Sequence, residues 1–137
     1  MATRGRTIEG YDNGMLGNAP LIAFVPVRDI DEARRFYVDT LGLPVTDEGP
    51  FALVVDANGT MLRITPVPDL HPQPFTIAGW AVPDIESTVE ALVSAGVTFN
   101  QYDGMKQDAQ GIWNTPSGDR VAWFADPDGN TLSLTSF

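Results

Sequence analysis

Apolar positions along this chain fall into two rhythms that follow one another twice. Residues 21–27 (LIAFVPV) and 76–82 (TIAGWAV) are short apolar runs of strand length. After each run the period lengthens. Ile30, Ala33, Tyr37 and Leu41 form a helical stripe that starts behind Asp29, with Glu32 spaced for a capping box, and stops at Gly42. In the later segment Asp84 caps, Ile85, Val89 and Leu92 share a face, and Gly96 ends the stripe. Helices are therefore predicted over 29–41 and 84–95. Short strands are predicted over 44–47, 51–55 and 61–66, and again over 98–102, 120–125 and 131–136. The turns Asp56-Ala57-Asn58-Gly59 and Asp126-Pro127-Asp128-Gly129 supply the positive-φ positions that tight hairpins need.

The order of elements repeats, and so do residues. Val27-Arg28-Asp29-Ile30-Asp31 returns as Val82-Pro83-Asp84-Ile85-Glu86 at an offset of 55, and the segment 56–65 returns as 126–135 at an offset of 70. The offset grows by 70 − 55 = 15 residues, so the second half carries extra chain between these landmarks. Ordered repeats of this kind define modules. The predicted fold class is α+β: two tandem βαβββ modules, with paired half-barrel mixed sheets and helices on the outer face. Module one spans 20–66, a proline-rich linker spans 67–75, and module two spans 76–137. Residues 1–19 read as an N-terminal arm, and 20–137 as a single domain.

Charge and composition narrow the partners. Eight Lys and Arg against eighteen Asp and Glu give a net charge of −10, which excludes a phosphate-neutralising surface and disfavours anionic membranes. No nucleic-acid or membrane partner is expected. No apolar run approaches the roughly 20 residues of a membrane span, and the arm lacks the apolar segment of a secretory signal. With no cysteine there is no disulfide, thiolate metal site or cysteine nucleophile. A cytoplasmic protein is expected.

Three segments, AFVPVRDIDEARRFYVDTLGLPV, WAVPDIESTVEALVSAGV and WFADPDGNTLSL, carry a resemblance to the vicinal-oxygen-chelate superfamily of glyoxalases, bleomycin-resistance proteins and dioxygenases. The resemblance covers about 21–137. It implies a divalent metal held on inward strand faces and acting as a Lewis acid. Carried over position by position, the implied ligand sites are Ile22, Arg63, Ile77 and Ser133. Two isoleucines, an arginine and a serine do not make a divalent-cation site, and a guanidinium repels one. No metal and no cofactor is expected.

What remains is a cavity whose lining follows from strand alternation. Ile22 brings Phe24 and Pro26, Ile77 brings Gly79 and Ala81, Arg63 brings Met61 and Thr65, and Ser133 brings Thr131 and Thr135. Trp123 joins them from a flanking strand, and Trp113 from a hairpin over the mouth. The candidate ligand-binding residues are thus Ile22, Phe24, Arg63, Ile77, Gly79, Trp113, Trp123 and Ser133. Arg63 would anchor a carboxylate, phosphate or carbonyl, unless an internal ion pair occupies it or its stem packs on the sheet with the head in solvent. Gly79 either admits a ligand close to the backbone or relieves crowding. Trp80 reads as core. Tyr37 and Tyr102 are weighed as acid–base groups, Tyr37 being assigned to the core by its stripe. His71 reads as an exposed linker residue, and no nucleophile–histidine–carboxylate set is visible.

Three functional readings follow. The favoured one is a metal-free small-molecule-binding protein of the bleomycin-resistance type, with an apolar cleft carrying one arginine and acting as a homodimer. The second is a metal-independent isomerase, lyase or cyclase using the same cavity; the third is a non-catalytic structural or interaction module. Whether the chain is an enzyme is left open by the sequence, and its catalytic residues are unknown.

Overall fold

The structure is a computed structural model that describes residues 15–137. Most of the proposed N-terminal arm lies outside the described residues; its end forms a single 3-10 turn, Leu16–Asn18. Module one contains β1 (Ile22–Val27), α1 (Ile30–Arg34), β2 (Val45–Glu48), β3 (Leu53–Ala57) and β4 (Thr60–Pro66). Module two contains β5 (Thr76–Ala81), α2 (Ile85–Ser94), β6 (Trp113–Asn114), β7 (Arg120–Ala125) and β8 (Thr131–Ser136). The two four-stranded sheets have equivalent orders, β1-β4-β3-β2 and β5-β8-β7-β6. In each, the first strand runs parallel to the last and the others are antiparallel. These are the paired βαβββ half-barrel sheets expected from the repeat.

Local chemistry explains the element ends. The Asp29 carboxylate accepts from the amides of Asp31 (2.8 Å) and Glu32 (3.3 Å), capping α1. Asp84 caps α2 through the Ser87 amide. The β3–β4 hairpin turns through Asn58 and Gly59, with φ of 52° and 98°, the two positive values that match the twist of the flanking strands. Beyond Arg34 the first helix widens into a π-helix over Arg35–Thr40. The wider turn brings Phe36 and Tyr37 edge to face, 5.0 Å between centroids, and sets Phe36 against Phe124 of module two.

One apolar core serves both modules. Val25, Val27, Tyr37, Leu53, Val55 and Ile64 join Ile85, Val89, Ile112, Phe124 and Leu132, with Trp80 packed at its margin as expected. The helices cover this face of the sheets, and the opposite faces are left open.

The modules are fastened by the Asp126-Pro127-Asp128-Gly129-Asn130 turn. Asp126 is buried. Its Oδ1 accepts from the amides of Asp128 and Asn130, both at 2.9 Å. Its Oδ2 accepts from Asn130 Nδ2 (2.8 Å) and from the Tyr37 hydroxyl (2.6 Å) across the module boundary. Asn130 Nδ2 also donates to the Pro26 carbonyl at 2.8 Å, and Arg28 reaches Asp128 and the Leu70 carbonyl. At the repeat-equivalent turn the Asp56 carboxylate accepts locally, from the Gly59 amide.

Two expectations are corrected. The segment 98–102 is not a strand; Phe99 makes one isolated bridge to Phe124, and the edge of the second sheet is β6 instead. The cause is the Gln107 side chain, which takes the carbonyl of Asn100 and holds this stretch as a loop. The second correction concerns Ile77. A bulge falls between Thr76 and Ala78, so Thr76 stands opposite Thr131 while Ile77 packs against the core.

Candidate ligand-binding face

Directly opposed residues of neighbouring strands share a face, so the register spells out the open side of each sheet. In module one Phe24, Arg63 and Val54 lie in one row, and Ile22, Met61 and Asp56 in the next. Ile22, Phe24 and Met61 are exposed, Phe24 to 63%. Val54 is buried although it lies on the open side, being only 4% exposed beside Arg63. In module two Gly79, Ser133 and Trp123 form the equivalent row, and Thr135, Val121 and Trp113 the next. Seven of the eight candidate residues therefore stand on the open faces. Ile77 is the exception, and Thr76 takes its place.

Arg63 is half-buried, and among the described residues its guanidinium makes no ion pair and no hydrogen bond. Asp47, the acid in its row, stands two strands away opposite Val54. Two residues along from Arg63, the Thr65 hydroxyl oxygen is buried without a hydrogen-bond partner. A cation and a hydroxyl thus flank an apolar surface without satisfying one another.

The second module's open side is aromatic. Trp123 contacts Tyr102 edge to face at 5.7 Å and lies 6.2 Å from Trp113 at an interplanar angle of 32°. Its indole N–H donates to the Thr76 hydroxyl at 3.1 Å, which fixes the ring. Gly79 is explained by its neighbour. A Cβ there would meet the Ser133 hydroxyl at 2.3 Å, so the missing side chain makes room for Ser133.

Sequence reasoning did not pick out Thr76 or Tyr102 as contacts. The bulge that turns Thr76 outward has no sequence signal in a single strand. Tyr102 reaches Trp123 only through the fold of the loop between them. Proton-transfer groups are scarce here. Burial, and then the neighbouring Asp126 charge, push the Tyr37 phenol far above its ordinary value, and its hydroxyl is already committed to Asp126. His71 is exposed in the linker, as expected.

A profile of the Glyoxalase/Bleomycin resistance protein/Dioxygenase superfamily matches residues 20–134. The chain belongs to this superfamily. A superfamily member from Sphaerobacter thermophilus has a solved structure that superposes with a TM-score of 0.67 at 26% identity, covering 86% of this chain and 96% of that one. TnmS3, an antibiotic binding protein from Streptomyces, superposes at 0.64 with 24% identity over 85% and 93% of the two chains. A lactoylglutathione lyase from Agrobacterium tumefaciens superposes at 0.66 with 16% identity over 86% and 92%. Below 25% identity, the last two speak for the fold alone. No curated protein matches the chain in sequence.

The superfamily's metal chemistry can be tested against the residues at its ligand positions. Zinc needs three or four N, O or S donors. Ile22 offers none, and Ile77 is turned to the core. Thr76 in its place brings a hydroxyl that already accepts from the Trp123 indole, Arg63 is cationic, and the Ser133 hydroxyl packs over Gly79. Among the described residues no group of three or more His, Asp or Glu converges on one point. These residues do not fit the metal.

Proposed function

We propose that this superfamily member is a metal-free small-molecule-binding protein that holds a mostly apolar ligand bearing one anionic group. The observation that carries this reading is Arg63: a half-buried guanidinium on an open sheet face, with Phe24 on one side, Val54 on the other and no ion pair to an acid among the described residues. Apolar contacts supply affinity and a few placed polar groups set orientation. The Trp113–Trp123 surface adds ring contacts. The enzymatic alternative is the weaker reading, because Tyr37 is committed to Asp126, His71 lies in the linker, and the Tyr102 hydroxyl beside Trp123 is engaged by Asn100.

A homodimer is part of the proposal. β1 is an edge strand, and it exposes Ile22 at 46% and Phe24 at 63%, next to Leu21 at 71%. A second copy would remove this apolar surface from water. No helix among the described residues is long and apolar enough to cross a membrane, and the cytoplasm is the compartment we assign.

The test is titration of the purified protein with 1-naphthoate, read by tryptophan fluorescence. Arg63→Ala should weaken binding by roughly 1.5–3 kcal/mol, the scale of a charged hydrogen bond, or about 10- to 150-fold. Dialysis against a chelator should leave binding unchanged. Equal affinity in the variant and the parent refutes the anion anchor.

A further inference from the structure

The 15-residue excess of the second module, set by its offsets of 70 and 55, is not slack chain. Residues 98–112 form a loop built around one amide. Gln107 Nε2 donates to the carbonyls of Asn100 and Gly111, both at 2.8 Å, and its Oε1 accepts from the Tyr102 amide at 2.7 Å. One side chain thus satisfies three backbone groups in three parts of the loop. Asp108 closes the far end by accepting from the amides of Gln110 and Ile112, each at 2.9 Å. Asn100 is tied to the sheet through the Trp123 carbonyl at 2.8 Å, and its side chain donates to the Tyr102 hydroxyl at 3.0 Å.

The ordering has a product: it sets Tyr102 on the edge of Trp123 and leads the chain into Trp113 on the same face. A groove of about 620 Å³ opens between Trp113 and Met105, Lys106 and Asp103. Module one has nothing comparable. The residues of its Phe24–Arg63–Val54 row include one ring, and that ring is exposed.

We propose that the Gln107-clasped loop is the specificity element of the binding face, selecting a planar aromatic ring over an aliphatic body of the same charge. This rests on the small-molecule reading above but not on Arg63. Gln107 is a positioning residue: it acts by holding Tyr102 and the approach to Trp113, and stacking on those rings supplies the preference. Aromatic pairs contribute beyond their buried area by an amount equivalent to roughly two- to tenfold in affinity each.

The experiment compares 1-naphthoate, octanoate and neutral 2-naphthol on the full-length protein and on Gln107→Ala, Trp113→Leu and Arg63→Ala. Circular dichroism of the coupled indole bands reads the Trp113–Trp123 geometry directly. The parent should favour naphthoate over octanoate by roughly tenfold or more, the scale of such ring contacts. Gln107→Ala should weaken the indole couplet and reduce that ratio to about threefold or less. Trp113→Leu should do the same, and it carries the comparison if Gln107→Ala does not fold. Arg63→Ala should weaken both carboxylates alike and leave the ratio intact. Equal binding of naphthoate and octanoate by the parent overturns the proposal, as does an unchanged ratio in a variant that has lost the couplet. If neither carboxylate binds, the anion reading fails by itself. The loop proposal then stands only if 2-naphthol binds the parent and is lost on Gln107→Ala, and it falls otherwise.

Discussion

Replacing Tyr37 by Phe removes one atom from the joint between the modules. The ring remains in the core against Phe36, and only the 2.6 Å hydrogen bond from the phenol to Asp126 Oδ2 disappears. Asp126 is 5% exposed, so solvent does not replace the lost donor, although Asn130 Nδ2 and two backbone amides continue to hold the carboxylate. A hydrogen bond to a charged group contributes about 1.5–3 kcal/mol, and with three donors remaining a loss of about 2 kcal/mol is expected. Urea denaturation should show a lower midpoint at unchanged slope. The same variant carries a pH signature. The folded protein keeps the Tyr37 proton well above pH 10, whereas the unfolded chain releases it near the ordinary value of 10.0. Above that pH the native state binds one more proton than the unfolded state, so stability falls as pH rises, by about 1.4 kcal/mol per pH unit. Below pH 10 the contribution is fully present. Tyr37→Phe should abolish this part of the alkaline slope. A loss below about 0.5 kcal/mol, the level of an unremarkable surface change, would refute the reasoning. So would an alkaline slope identical to the parent's.

The remaining predictions concern packing and the surface. Gly79→Ala should destabilise by about 1–3 kcal/mol as the new Cβ displaces the Ser133 hydroxyl. Adding Ser133→Ala should recover part of the loss in thermal melts, because the closest remaining atom is the Ser133 carbonyl oxygen at 3.3 Å. Phe124→Ala, at a fully buried position shared by both modules, should cost about 3–5 kcal/mol in denaturant titration. Glu86→Gln removes the 2.8 Å ion pair with Arg120, but both side chains are substantially exposed, so the change should stay below about 1 kcal/mol.

Much of this protein was readable from residue order alone. Strand and helix periods, the caps at Asp29 and Asp84, and the duplicated landmarks are local properties of the chain. They therefore determined the βαβββ repeat and the face on which Phe24, Arg63, Trp123 and Ser133 stand. Other features depend on which distant groups meet. The bulge that exchanges Ile77 for Thr76 comes from the pairing of β5 with β8, and no periodicity within β5 announces it. The segment 98–102 stands where the repeat predicts a strand, yet the Gln107 amide competes successfully for its backbone groups. Whether Gly79 admits a ligand or a neighbour was decided by the Ser133 hydroxyl across the sheet. That Arg63 makes no ion pair among the described residues depended on where their acids come to rest. Alternation places a side chain on a face because the backbone repeats every two residues. What fills the space beyond that face is contributed by chain many residues away, and only the tertiary structure brings it there.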